Sequence, residues 1–132
     1  MKSFEPVYKE LEYLLIQKLP EYIEKVNKEY NDGIILKPFE TTSLSENCIK
    51  TPSFIFNIEE TEYSEKDRII ENTIYTISLE IKLPSNTEDE QITFWRYTEA
   101  VIKMIYGEDT KYFFEVSKMK RNFLYLMVCN EY

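Results

Sequence analysis

The chain has 132 residues, 43% of them hydrophobic, and a formal net charge of −8. A chain of this length and hydrophobic content forms an ordered domain that buries roughly two-thirds of its unfolded surface, so we expect a single domain over residues 1–132. The chain contains no histidine, only two glycines, and two cysteines that are far apart. This inventory excludes Ser-His-Asp triads, His-ligated zinc and glycine-rich phosphate loops.

The composition also indicates the cellular compartment and the kinds of partner to expect. A single disulfide could join Cys48 and Cys129, but no signal peptide is evident, and the reduced state of the cytosol is the expectation. No run approaches the roughly 18 apolar residues that a membrane span needs, so we expect a cytoplasmic protein with no membrane contact. The negative charge predicts repulsion from nucleic-acid backbones, and we expect no direct sequence-specific nucleic-acid binding.

Apolar residues at three- and four-residue spacing predict a helix near the N-terminus. The stripe consists of Val7, Leu11, Leu14, Leu15 and Leu19. Pro20 interrupts it, although the same spacing continues to Tyr30, so the segment is either one kinked helix or two helices. A break at Pro20 is favoured, because Asn31-Asp32-Gly33 then closes a second helix with a left-handed cap residue.

Strand patterns follow. The apolar run Ile34–Leu36, stopped by Pro38, predicts an edge strand, and residues 40–52 have the composition of a loop. In the next segment Phe54, Phe56 and Ile58 alternate with polar residues, except at Ile55, which predicts a strand covered on both faces.

The clearest strand pattern is a strict period-two alternation. Its apolar members are Tyr75, Ile77, Leu79, Ile81 and Leu83. Between the two strands, the charged residues 60–72 predict a long solvated hairpin connection.

A second helix is predicted between residues 87 and 107. Thr87 and Glu90 fit a capping box, and Gly107 stands where a C-terminal cap belongs. The predicted buried stripe consists of Phe94, Thr98, Val101, Ile102 and Ile105. Trp95 and Tyr97 flank it, as residues at the core edge or as exposed aromatic anchors.

Two strands complete the chain, near residues 112–118 and 123–129, joined by a basic turn. The predicted order is therefore α-α-β-β-β-α-β-β. Because most strands are joined by short connections, we expect an α+β fold with a largely antiparallel sheet of four to five strands and helices packed on one face.

Acidic residues are plentiful, yet their positions do not predict chemistry. The acids at 59–62 fall in the predicted hairpin and those at 88–90 at a helix start, where solvation and the helix dipole account for them. Neither run contains the glycine that calcium loops need. We therefore predict no catalytic residue, no metal site and no cofactor.

The two predicted hairpins carry opposite charge. Copies of the chain packed head to tail around a ring could place one hairpin against the other, and this complementarity would select the register. The candidate interface comprises Glu60, Glu62, Glu65, Lys66, Asp67, Arg68, Trp95, Lys118, Lys120 and Arg121.

Three segments carry a resemblance to a known family. They are the amphipathic helix Leu11–Leu19, the proline-led strand Pro52–Ile58, and the strand Thr73–Leu83 with the helix that follows it to Ile105. In this order they resemble the tail-terminator and tail-completion proteins of long-tailed phages and prophages. The resemblance implies a non-catalytic ring, typically a hexamer, that ends the tail tube, contacts tail or neck proteins and resides in the virion.

Three functions remain open on the residues alone. The first is this structural assembly role. The second is a monomeric acidic binding module, immunity- or adaptor-like, that holds a basic protein. The third is an enzyme whose active site uses only Asp, Glu, Lys, Tyr and Cys. No arrangement of these residues in the sequence supports this function.

Overall fold

The helices and strands of the computed structural model form an α+β fold. The structure describes residues 4–39, 42–43, 52–85 and 87–131. Its elements are α1 (Glu5–Tyr13), a π-helical segment (Leu14–Lys18), α2 (Leu19–Tyr30), β1 (Thr42–Ser43), β2 (Ser53–Lys66), β3 (Ile69–Lys82), α3 (Glu90–Gly107), β4 (Phe113–Lys120) and β5 (Phe123–Glu131). The strand order is β1-β2-β3-β5-β4, and each neighbouring pair is antiparallel except β1 with β2. The predicted fold class is confirmed.

The first helical region runs through Pro20, so the predicted break there is wrong. Pro20 lies in the first turn of α2, directly after the π-helical segment, and the helix continues past it although proline has no N–H to donate. The π-helical segment before it widens the turn, with the Leu19 N–H donating to the carbonyl of Leu14. Asn31 adopts the left-handed conformation (φ 40°, ψ 47°) and ends α2, which confirms the predicted cap.

The core lies between the helices and one face of the sheet. Its buried side chains include Leu11, Leu15, Leu19, Phe54, Phe56, Ile77, Leu79, Met104, Leu124 and Leu126. The rings of Tyr8 and Phe56 meet edge to face at 5.0 Å between centroids, and those of Phe4 and Tyr75 at 5.1 Å. These contacts tie the start of α1 to the sheet. Ile55 is also buried, on the opposite face, so the prediction that this strand is covered on both faces is confirmed.

Residues 34–36 form no strand, contrary to the sequence prediction. The side chain of Asn27 replaces a strand partner: its Oδ1 accepts from the N–H of Leu36 at 2.9 Å, and its Nδ2 donates to the carbonyl of Leu36 at 3.1 Å. A helix residue thereby satisfies the backbone groups that a neighbouring strand would otherwise pair. The first strand is β1, inside the predicted loop 40–52; most of that loop, including Cys48, lies outside the described residues.

The start of α3 differs from the predicted capping box. The N-cap is Asp89, in the left-handed conformation, and it makes no side-chain capping hydrogen bond. The Thr87 hydroxyl instead donates to the carbonyl of Pro84 at 2.7 Å. Gly107 is the last residue of α3 rather than a left-handed cap, and a Cβ there would lie 2.9 Å from the Tyr22 hydroxyl. A close approach between helices, not a turn, therefore explains this glycine.

The buried side of α3 is rotated from the predicted stripe. Thr98, Val101 and Ile105 are buried as predicted, but Phe94 and Ile102 are only half-buried. Tyr97 and Met104 lie in the core instead. The predicted stripe followed apolar residue type more closely than angular position, and it therefore left the aromatic Tyr97 at its edge.

The predicted loop between residues 60 and 72 is a pair of strands. β2 continues to Lys66 and β3 begins at Ile69, with irregularities in register after Ile58 and Ser64. Asp67 and Arg68 form the turn with φ of 53° and 65°, the left-handed values of a two-residue hairpin. Charged residues are compatible with a strand here because residues 57–69 are almost all exposed, and the ladder is held by backbone pairing.

An ion pair joins the end of α2 to α3. The Arg96 guanidinium makes two hydrogen bonds with the Asp32 carboxylate, at 2.8 and 2.6 Å, and lies 4.1 Å from the centre of the Tyr30 ring. The Tyr30 hydroxyl in turn donates to Glu99 at 3.0 Å. Hydrogen bonding to Arg96 lowers the pKa of Asp32 from 3.8 to about 2.

We expect Asp32→Asn to reduce the acid sensitivity of folding. Because folding lowers this pKa, the stabilisation is present above the unfolded value of 3.8 and is lost as the pH falls towards 2. The free energy of unfolding, measured by urea titration between about pH 2 and 6, should therefore fall less steeply for Asp32→Asn than for the wild type. The control is Asp109→Asn, the same substitution just after the C-terminal end of α3. Its free energy of unfolding should fall with decreasing pH as steeply as that of the wild type. Identical slopes in all three proteins would contradict the assignment.

Candidate assembly interface

The acidic candidates lie on a hairpin formed by the outer parts of β2 and β3. We call residues 58–73 the arm; it contains six acidic and two basic residues. Glu60 and Glu62 lie on β2, Glu65 and Lys66 near its end, and Asp67 with Arg68 in the turn itself. The pairing of β3 with β5 stops at Asn72, so the tip of the arm extends past the described end of that ladder.

The basic candidates lie on the other long hairpin, between β4 and β5. Lys118 and Lys120 are exposed on β4, and Arg121 occupies the turn with φ of 56°. The Lys118 ammonium lies 4.9 Å from the centre of the Tyr125 ring on β5. The Ile81 N–H donates to the carbonyl of Asn122 at 2.9 Å, which anchors this basic turn at the end of β3.

The strand register shows how these charges are arranged. We call the sheet face opposite the helices the open face. Four rows cross it from β2 through β3 and β5 to β4: Glu62-Ile74-Cys129-Phe113, Glu60-Thr76-Met127-Glu115, Asn57-Ser78-Tyr125-Lys118 and Ile55-Glu80-Phe123-Lys120. Acids therefore mark the β2 edge at one end of the sheet, and lysines mark the β4 edge at the other end.

The structure does not bring the two charged groups together within one chain. β2 and β4 are separated by β3 and β5, and the two hairpin turns point from opposite ends of the sheet. The acidic arm and the basic turn thus occupy diagonally opposite corners. Contact between them requires more than one molecule.

Trp95 belongs to neither charged group. Its side chain is 52% exposed on α3, in the helix layer, whereas Tyr97 is 2% exposed in the core. The Tyr97 hydroxyl donates to the Lys37 carbonyl at 2.7 Å and accepts from the Lys37 N–H at 3.0 Å. Burial raises the pKa of Tyr97 to about 12, so it stays protonated as a structural hydrogen-bonding group.

A cleft of about 280 Å³ lies beside the start of α3. Its walls include Ile35, Lys37, Leu83, Asp89 and Tyr97. This volume is near the lower end of small-molecule sites. The Tyr97 hydroxyl is already engaged with the backbone of Lys37, so the cleft does not present it as an acid or base.

Exposed apolar residues of the two hairpins were not among the candidates predicted from sequence. Tyr63 and Ile69 lie on the arm, and Phe113 and Met127 lie on the open face. Period-two alternation contained the signal for Phe113, because Phe114 and Val116 face the core and their neighbour must face away. The signal on the arm was missed because the charged composition there predicted a loop.

Comparison with known proteins adds no assignment. No protein-family model matches the chain, and no curated protein matches it at a significant level of sequence similarity. Within the ranges that the structure describes, no helix is long and apolar enough to cross a membrane. Over the same residues, no three side chains of His, Cys, Asp or Glu are grouped as a metal site would require.

Proposed function

We propose that the chain is a non-catalytic structural protein whose copies join head to tail into a closed ring, as in the phage tail-terminator and tail-completion proteins that it resembles. The observation that carries the proposal is the placement of the acidic arm and the basic turn at diagonally opposite corners of one sheet. Each corner is complementary in charge to the other corner of a neighbouring copy, and neither corner is complementary to itself.

This arrangement favours a ring over a two-fold dimer. A two-fold interface that contains only one of the corners would set acid against acid or base against base, and one that pairs both corners would have to cover the sheet from corner to corner. A head-to-tail interface joins two different patches, and it closes into a ring when the rotation per copy divides a full turn. The hexamer, the virion location and contacts with tail or neck proteins follow from the resemblance and belong to the same proposal.

Charge reversal on the basic turn tests the proposal. We expect the double variant Lys120→Glu with Arg121→Glu to associate more weakly, because the attraction across the interface is lost. Its remaining association should also depend less on salt concentration. Native mass and sedimentation at several concentrations measure the effect. The double variant Lys9→Glu with Lys28→Glu has the same change in net charge on the helices and should associate like the wild type.

A second combination separates specific pairing from a general effect of charge. Adding Glu65→Lys and Asp67→Lys to the reversed basic turn should restore association, because each corner again meets its opposite. A strictly monomeric wild type at all concentrations would contradict the ring and favour the acidic binding module. Association unaffected by reversal would contradict the role of the two corners.

A further inference from the structure

Both outer edges of the sheet offer backbone groups to another strand. On β2, the one described strand that pairs with the outer edge is β1, and its pairing stops at Ile55. On β4, no described strand lies on the outer edge, and the Tyr106 hydroxyl accepts from the N–H of Val116 at 3.0 Å. Within the described ranges, the edges left open are therefore the β2 side of the arm and the end of β4 that leads into the basic turn. Open edges of this kind are templates for pairing with another strand.

The hydrogen-bond pattern of the sheet shows which residues direct their backbone groups outward. In an antiparallel ladder, successive residues bond alternately to the strand on one side and to the strand on the other. The Ile81 N–H donates to the carbonyl of Asn122, so the core-face residues of β3 bond towards β5 and its open-face residues bond towards β2. Carried through the register, this alternation leaves the backbone groups of Thr61 on β2 and Met119 on β4 directed outward.

The side chains beside these two outward positions carry opposite charge. On β2 the outward residue lies between Glu60 and Glu62, and on β4 it lies between Lys118 and Lys120. All four charged side chains are exposed on the open face. Within the described ranges, none of the four makes an ion pair in its own chain. Each edge thus presents two unpaired charges of one sign around a backbone position that can accept a strand.

We propose that β4 of one copy pairs antiparallel with the open edge of β2 in the next copy, with Lys118 opposite Glu62. The same register sets Lys120 opposite Glu60 and brings the two outward-directed backbone positions together. Moving β4 by two residues in either direction keeps the faces aligned but leaves only one lysine opposite an acid. The bound neighbour is a second copy because this chain carries both edges and both sets of matching charges. The inference rests on the proposed head-to-tail ring and specifies its contact.

This register also suits a closed ring. The row of Lys120 contains Glu80 of β3, whereas the row of Glu60 contains Thr76, four residues earlier on the same strand. Placing these two rows side by side staggers neighbouring copies by four residues across the four strands β2, β3, β5 and β4, which is one residue per strand. An eight-stranded barrel with a shear of 8 has the same ratio, and its strands tilt by about 36° from the barrel axis. The proposed pairing therefore has the stagger that a closed sheet requires.

Paired cysteines test the register directly. In a protein with Cys48→Ser and Cys129→Ser, we expect Glu62→Cys with Lys118→Cys to form disulfides between copies on mild oxidation. The product is a ladder of covalent multimers in denaturing electrophoresis. A disulfide within one chain is excluded because β3 and β5 separate the two positions by about 14 Å, beyond the roughly 7 Å between Cα atoms that a disulfide spans.

Two controls complete the disulfide test. Asn57 and Lys118 share a row, so Asn57→Cys with Lys118→Cys would join neighbouring copies only if the sheets met without a stagger. We expect no ladder from this pair, and a ladder here with none from the first pair would overturn the register. Glu62→Cys alone should remain a monomer on the gel; a covalent dimer would show an arm-to-arm contact and contradict the inference.

Exchange of charges tests the same pairs without a covalent bond. Lys118→Glu with Lys120→Glu should weaken association about tenfold or more, as measured by sedimentation. Adding Glu60→Lys and Glu62→Lys should restore it, because opposite charges again face each other. Reversing the two acids within residues 65–67 instead should restore it less fully. Equal restoration by the two sets would count against the specific register.

The oligomeric state separates failure of this inference from failure of the ring. A wild-type protein that associates, but whose Glu62→Cys, Lys118→Cys variant gives no ladder, would overturn the edge pairing and leave the ring standing. A wild-type protein that is monomeric throughout would overturn both.

Discussion

Phe54→Ala should lower the free energy of unfolding by about 3–5 kcal/mol, the usual cost of removing a buried phenylalanine ring. The Phe54 side chain is fully buried on β2, and its ring centroid lies 3.8 Å from that of Phe39, which also contacts Tyr97. Truncation leaves a cavity beside the rings of Phe39 and Tyr97. Against a typical total of about 5–15 kcal/mol, the loss should appear as a fall of roughly 10–20 °C in Tm.

The matched control is Phe113→Ala, the same substitution at an exposed position on the open face. Measured on the monomer at low concentration, its effect on unfolding should stay within about 0.5 kcal/mol. The two variants therefore have different expectations: Phe54→Ala lowers the stability of the fold, and Phe113→Ala leaves it nearly unchanged. A large loss of monomer stability from Phe113→Ala would contradict the exposure of this side chain.

Shortening the arm should have the largest effect on association. Replacing residues 65–71 by Asn-Gly joins Ser64 to Asn72 through a favoured two-residue turn and removes Ile69 with the charged tip. The deletion removes Glu65, Asp67 and Glu71, which supply part of the acidic partner in the proposed pairing with the basic turn, so association should weaken roughly tenfold or more per contact. Because the removed residues are mostly exposed and lie beyond the β3–β5 pairing, the stability of the monomer should change by only about 1 kcal/mol.

The control for this deletion keeps the arm and changes only its turn. Asp67→Asn with Arg68→Gly retains Ile69, leaves the net charge unchanged and suits the positive φ of both positions. It should associate like the wild type, as judged by sedimentation at matched concentrations. Equal association by the shortened protein would show that the tip of the arm makes no contact between copies.

Sequence patterns predicted best where one face of an element is buried. The alternation from Tyr75 to Leu83 placed β3 correctly from Tyr75 onward, because burial of one face requires it. They failed where side chains replaced backbone partners, as at Leu36, whose strand-like hydrogen bonds come from Asn27. The sequence patterns also failed at the arm. An exposed, charged strand has no regular apolar alternation, so its sequence resembles that of a loop.

The charged residues of the candidate interface were named from sequence, since charge is visible in composition. The exposed apolar residues Phe113, Tyr63 and Ile69 were not named. An exposed apolar residue and a buried one look alike in a sequence until the faces of the sheet are known.

The sequence by itself determined the α+β class, the missing histidine chemistry and the two hairpins of opposite charge, because these depend on residue types and local periodicity. Only the tertiary structure decided that the hairpins lie at diagonal corners, and that Tyr63 and Phe113 are exposed on opposite faces of the sheet. Strand order and register set those relations, and both arise from pairing between segments far apart in the chain.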